Sequence, residues 1–146
     1  MTVNFYHVAE GNLVSAIIRL LEKVYFSGQR CIFFSPLDDR VKTVDKTLWT
    51  YSTNAFVPHG DKNLGFSSKQ PIYFTSGMEN PNGATTLMLV DAFEHENFCL
   101  FDKVISVFEE QQQAEQALLI WKDFEKKGAN ANYWLQTSKG WEQMTS

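Results

Sequence analysis

The segment from Leu13 to Phe26 leaves this chain least choice of fold. Apolar residues at Leu13, Ile17, Leu20, Leu21, Val24 and Tyr25 recur at helical spacing, Arg19, Glu22 and Lys23 fall between them, and Ser27-Gly28 supplies a stop. Such a helix needs an apolar layer to cover, and its flanks indicate which. Val3 to Val8 is a short aromatic and β-branched run that reads as a strand, and the polar Glu10-Gly11-Asn12 turns it into the helix. Cys31-Ile32-Phe33-Phe34 is apolar at every position, as a strand buried on both faces is. Strand, helix and buried strand within about thirty residues form a βαβ unit, with parallel strands and a right-handed crossover.

The remaining segments extend that unit. Pro36 sits in the turn after the buried strand, and Asp38 to Tyr51 is predicted as a second helix with Val41, Val44, Leu48 and Trp49 on or near one side. Ser52 to Gln70 reads as irregular. Pro71 to Thr75, Thr85 to Asp91 and Lys103 to Phe108 are strand candidates, separated by the Gly/Asn/Pro-rich stretch Gly77 to Gly83 and the loop Ala92 to Asn97. Gln111 to Lys127 is predicted as a last helix ending at Gly128, and Tyr133 to Thr137 as a closing strand. The expectation is one domain over residues 1–146, a three-layer α/β/α arrangement around a mostly parallel sheet. There are no internal repeats.

Composition narrows the function classes. With 44% hydrophobic and 21% charged residues the chain can bury a core. Twelve Phe, five Tyr and four Trp are more rings than a modest core needs, and surplus rings favour a role in binding. A net charge of −4 argues against a module held to DNA or RNA by phosphate neutralisation over its whole surface, while leaving room for a local basic patch. Direct nucleic-acid binding is therefore not expected. Cys31 and Cys99 each sit in an apolar run and read as buried thiols of a reduced, cytoplasmic protein; no disulfide, metal or cofactor is expected. The N-terminus has no signal-peptide pattern, and no run approaches the length of a membrane span.

Catalytic patterns are scarce. A nucleotide enzyme of this architecture carries glycines in its first βα turn so that phosphate can approach the helix N-terminus; Val8-Ala9-Glu10-Gly11-Asn12 has one glycine and a carboxylate. No GxGxxG, GxxxxGK[ST] or GxSxG is present. Asp91-Ala92-Phe93-Glu94-His95-Glu96 groups carboxylates around an imidazole, and Glu94, His95 and Glu96 are the alternative: a small hydrolase or nucleotide-handling site, with or without a metal. A solvated βα loop has the same composition.

The segment from Asp45 to Gly60 is more specific. Leu48-Trp49, a short polar link and Phe56-Val57-Pro58-His59 set large rings and a rigid proline close together, with Phe56-Val57 extended by the proline that follows. Trp49 and Phe56 either pack a helix end onto the core or form an exposed anchor for a partner. These residues, with Phe5-Tyr6, Ser27-Gly28-Gln29-Arg30, Gly128, Tyr133-Trp134-Leu135-Gln136 and Gly140-Trp141, resemble the chi subunit family of bacterial DNA polymerase III across essentially the whole chain.

The resemblance implies a nucleotide-binding-domain-like fold without a phosphate loop or cofactor, and a non-catalytic subunit that bridges two proteins. One face would bind the psi subunit through Trp49, Phe56 and Pro58, with His59 adjacent. A helicase is a further candidate for that face. The other face would bind the acidic C-terminal tail of single-stranded DNA-binding protein through Trp121, Lys122 and Lys126 on the last long helix. Ala114 and Leu118 stand where two further basic residues of that site align, which leaves Lys126, Lys127 and Lys139 to compensate.

Overall fold

The computed structural model describes residues 1–50, 59–60, 71–77, 79–93, 100–109 and 111–144, without the side chains of Trp49, His59, Gln111 and Gln112. They form β1 (Thr2–His7), α1 (Leu13–Phe26), β2 (Cys31–Phe34), α2 (Asp38–Thr50), β3 (His59–Gly60), β4 (Ile72–Thr75), β5 (Thr86–Val90), β6 (Lys103–Phe108), α3 (Gln111–Lys126), β7 (Asn130–Thr137) and β8 (Gly140–Met144). One eight-stranded sheet runs in the order β3-β4-β2-β5-β6-β1-β7-β8, parallel throughout except for the β7–β8 hairpin.

The three layers follow from what each strand must hide. β2, β4 and β5 are buried at every position, as parallel strands covered on both faces are. On one face Phe33, Phe74, Met88 and Val107 pack against α1 and α2 through Ile17, Leu21, Val44 and Leu48. On the other, Phe5, Phe34, Leu87 and Tyr133 pack under α3 through Ala117 and Trp121. Both long helices end in the same way. Gly28 and Gly128 adopt φ of +81° and +82°, which any side chain would strain, and the next amide reaches back to the last turn: Gln29 N–H to Val24 O, and Ala129 N–H to Phe124 O.

The predicted elements are present with ends shifted by a residue or so, and three features differ. β7 begins at Asn130, three residues before the expected Tyr133, because pairing with β1 supplies the order that Asn130-Ala131-Asn132 lacks in propensity. β8 was not expected at all; Gly140–Met144 returns antiparallel along β7 after a tight turn. Within the stretch expected to be irregular, His59–Gly60 adds an edge strand beside β4. The ring surplus also has a plainer use than binding: Phe5, Phe33, Phe34, Tyr73, Phe74, Phe101, Phe108, Trp121 and Tyr133 are all core.

Cys31 is fully buried, as its apolar neighbours suggested, and burial pushes its thiol up to about 12; Cys99 lies outside the described residues. Burial likewise raises the Tyr133 phenol to about 12. Both folded values lie above the unfolded ones of 9.0 and 10.0, so the stability these groups contribute is intact below pH 9 and is lost as pH rises from there towards about 12. Urea melts across that range should show falling stability, and in a Cys99→Ser variant the Cys31 thiol should react with an aromatic disulfide reagent only on unfolding; fast labelling of that folded variant would contradict the burial.

The layer arrangement sets the cost of truncation. Leu21→Ala, at a fully enclosed position, should cost about 2–5 kcal/mol. Leu119→Ala, with 71% of the residue exposed, should stay within about 0.5 kcal/mol. Equal losses by urea denaturation at the two sites would mean that α1 and α3 are not seated as described.

Candidate functional site

The β1–α1 turn is where a nucleotide would sit in a fold of this kind, and its donors are already engaged. Gly11 N–H donates to Glu109 Oε2 at 3.1 Å and Ala9 N–H donates to Gln136 Oε1 at 2.9 Å. An incoming phosphate would meet a carboxylate and would have to displace both contacts. His7, just before the turn, stacks on Phe108 with centroids 5.1 Å apart and meets the Tyr133 hydroxyl at 3.2 Å through Nδ1. Burial lowers its pKa, partly offset by a backbone contact to Glu109. His7 is thus a packed ring with a phenol for a partner, its charged form disfavoured by burial.

The crevice beyond the C-terminal ends of the strands is the other usual ligand position in α/β sheets. A cavity of about 460 Å³ opens there, lined by Pro36, Leu37, Asp38, Asp39, Arg40 and Thr43. The one cation among its described lining residues is tied down. Arg40 Nε donates to Asp91 Oδ2 at 3.0 Å, the same oxygen accepts the Ser35 hydroxyl at 2.9 Å, and Ser35 Oγ in turn accepts Leu37 N–H at 3.1 Å. These contacts hold the β2–α2 turn against the end of β5, engage the Ser35 hydroxyl, and leave the Asp38 and Asp39 carboxylates and the Thr43 hydroxyl along the cavity. Among the described residues no three His, Cys, Asp or Glu side chains are placed to hold a metal ion. Glu94, His95 and Glu96 lie outside the described residues.

Of the residues expected at the psi-binding face, Phe56 and Pro58 lie outside the described residues, and Trp49 and His59 are described by backbone alone. Trp49 is next to last in α2, which starts beyond the end of β2 and returns to where β3 begins. His59 pairs with Ile72 at the start of β4, and α2 packs on β4. The topology therefore brings the backbones of Trp49 and His59 to one corner of the molecule, at the β3–β4 edge.

α3 carries the residues expected to meet the tail. Trp121 is only 3% exposed; its indole N–H donates to Ala131 O at 3.1 Å and its ring lies 5.4 Å from that of Tyr133. Its ring therefore builds the core and fixes α3 on β7, and is not itself presented to a partner. Lys122 and Lys126 are exposed on the outer face, one turn apart. Ala114 is buried and Leu118 packs against the core, so both belong to the helix side that faces the sheet. Lys127 pairs with Asp123 at 2.9 Å, and Lys139 lies in the β7–β8 turn.

Sequence reasoning passed over Leu119, which stands exposed three residues before Lys122 and gives the cations an apolar neighbour; the i, i+3 spacing was the available signal. The two surfaces are well separated. Between β4, beside Trp49 and His59, and β1, under α3, lie β2, β5 and β6, a distance of about 19 Å at the usual strand spacing, and the helices that serve them cover opposite faces.

The model of one protein family, described as DNA polymerase III chi subunit, HolC, matches residues 1–132, from the start of the chain into β7. A curated relative, a probable DNA polymerase III subunit chi from Rickettsia prowazekii (strain Madrid E), is 33% identical over 105 residues, which are 72% of this chain and 64% of the relative's own length. The chain thus spans less than two thirds of that relative. The family match runs through every layer of the sheet and includes the corner at Trp49 and His59 as well as the outer face of α3, and the chain belongs to the DNA polymerase III chi subunit family.

Proposed function

We propose that the chain is a non-catalytic accessory subunit of DNA polymerase III that acts in the cytoplasm and joins two partners: the psi subunit, at the Trp49–His59 corner, and the acidic tail of single-stranded DNA-binding protein, on the outer face of α3. Family membership carries this reading. Its geometric support is the separation of the two surfaces, which lets both be occupied at once, together with turn amides already held by Glu109 and Gln136, where a nucleotide enzyme would need them open. In the tail site Lys122 and Lys126 supply charge, Leu119 supplies apolar contact, and Trp121 holds the helix that presents them.

For the psi face, Phe56→Ala should abolish co-purification with psi while the melting temperature stays near that of the parent chain. A collapse in stability would instead assign Phe56 to the core and remove it from the docking set.

For the tail, calorimetry against a peptide with acidic residues, a terminal Phe and a free carboxylate should show binding that weakens with salt. Lys122→Ala should reduce affinity about two- to fivefold, as expected for one exposed charge contact. Absence of binding at low salt, or indifference to Lys122→Ala combined with Lys126→Ala, would dismiss α3 as the tail site.

A further inference from the structure

Among the described residues, α1 and α2 cover one face of the sheet only as far as β6 and β1, and no described helix packs over β7 and β8 on that face. The strand register determines which side chains share it. Tyr6 pairs with Trp134, Gln136 with Trp141, and Asn4 with Asn132, which sits beside Gln143 on β8. Three rings and a set of amides therefore line the same side. Tyr6 and Trp141 meet edge to face, 5.3 Å between centroids at 80°, and Trp141 is 36% exposed.

The edge of this platform is basic. Arg19 and Lys23, one turn apart on α1, line a cavity of about 230 Å³ with Tyr6, Gln136 and Trp141. A second cavity of about 100 Å³ continues it past Tyr6 and Lys23 to Lys103. Neither Arg19 nor Lys23 is ion-paired with another described residue. Three cations along one groove stand out in a chain of net charge −4. From Ser15 to Ser27 the groove follows about 18 Å of helix, room for at most about five stacked nucleotides.

We propose that this groove binds single-stranded nucleic acid, with bases against Tyr6, Trp134 and Trp141 and phosphates along Arg19, Lys23 and Lys103. Rings on an open sheet face beside a row of cations are the means by which single strands are held with little sequence preference. An acidic peptide would use the cations but leave the ring faces and amide edges without a counterpart, whereas a nucleobase has both a π-face and a hydrogen-bonding edge. The amides are held ready: Gln143 Nε2 donates to Asn132 Oδ1 at 2.9 Å, and Asn132 Nδ2 donates to Asn4 Oδ1 at 3.0 Å. Trp134, Gln136 and Trp141 lie beyond the residues matched by the family model, and the groove is separate from both surfaces of the proposed bridge.

The test needs the full chain alone, so it can fail without touching the roles of psi or the tail. Titration of its tryptophan fluorescence with a short thymidine oligonucleotide at low salt should show saturable quenching. The log–log salt slope should be about −2, roughly −0.7 for each of three phosphates. Arg19→Ala combined with Lys23→Ala should weaken binding roughly tenfold with an unchanged urea midpoint, since two of the three phosphate contacts go while both positions are exposed. Trp141→Ala should weaken it as well, with Trp141→Phe restoring most of the loss. The proposal is overturned by no quenching at low salt, by equal affinity for the double variant, by a duplex of the same length binding as tightly, or by an acidic peptide displacing the oligonucleotide from these residues more strongly than a second oligonucleotide does.

Discussion

A parallel strand buried on both faces needs cover on both, and that requirement organises this molecule. β2, β4 and β5 have no exposed position, so helices must lie above and below the centre of the sheet. The three helices among the described residues meet the need unevenly. α1 and α2 take one face, from β4 to β6, and α3 takes the other, over β1 and β7. The uneven cover shows in the composition of the strands: β7 is mostly half-buried and β8 exposed throughout, with Asn, Gln, Glu and Thr among their residues. Among the described residues, the lighter cover of this end of the sheet follows from where the three helices pack, and its side chains are those that tolerate both water and contact.

What the sequence made legible was whatever depends on neighbours along the chain. The spacing of Leu13, Ile17, Leu20 and Val24 fixed α1 to the residue, and the unbroken apolar run Cys31–Phe34 identified a strand with two covered faces. What stayed hidden depends on neighbours across the fold. Asn130-Ala131-Asn132 has little strand propensity and becomes a strand because β1 offers it a ladder; Gly140–Met144 follows because β7 then offers another. Trp121 illustrates the same limit at a site residue. Its place on a helix among lysines suits a docking ring, but its position one turn after Ala117 puts it on the stripe that meets Tyr133. Lys122, one residue further round the helix, points to solvent, so one step along the chain separates core from surface.

The absence of a phosphate loop also has a structural counterpart that the missing glycines only hint at. A βα turn presents amides that must be satisfied, and in nucleotide-binding folds the ligand does so in part. In this chain the satisfaction is internal and comes from far away in sequence: Glu109 from the end of β6 and Gln136 from β7. Asn12 completes the arrangement weakly, its side-chain amide donating to Gln136 Oε1 at 3.5 Å, and it stands at the N-cap of α1 without a side-chain bond to the helix amides. A turn closed in this way has these two amides satisfied by the chain's own side chains.

Gln136 links this closure to the lightly covered end of the sheet. Its side-chain oxygen anchors the β1–α1 turn, its backbone pairs with Trp141, and its residue lines the groove beside Arg19. The entry of α1 is thereby fixed relative to the β7–β8 hairpin, although the two are more than a hundred residues apart in sequence. Arg19 and Lys23 follow on the same rigid helix, so their distance from the ring of Trp141 is set by hydrogen bonds in the turn and not by flexible surface loops. The same contact that engages the β1–α1 turn thus positions the cations at the side of the sheet, on a surface assembled from one helix and four strands, β1, β6, β7 and β8.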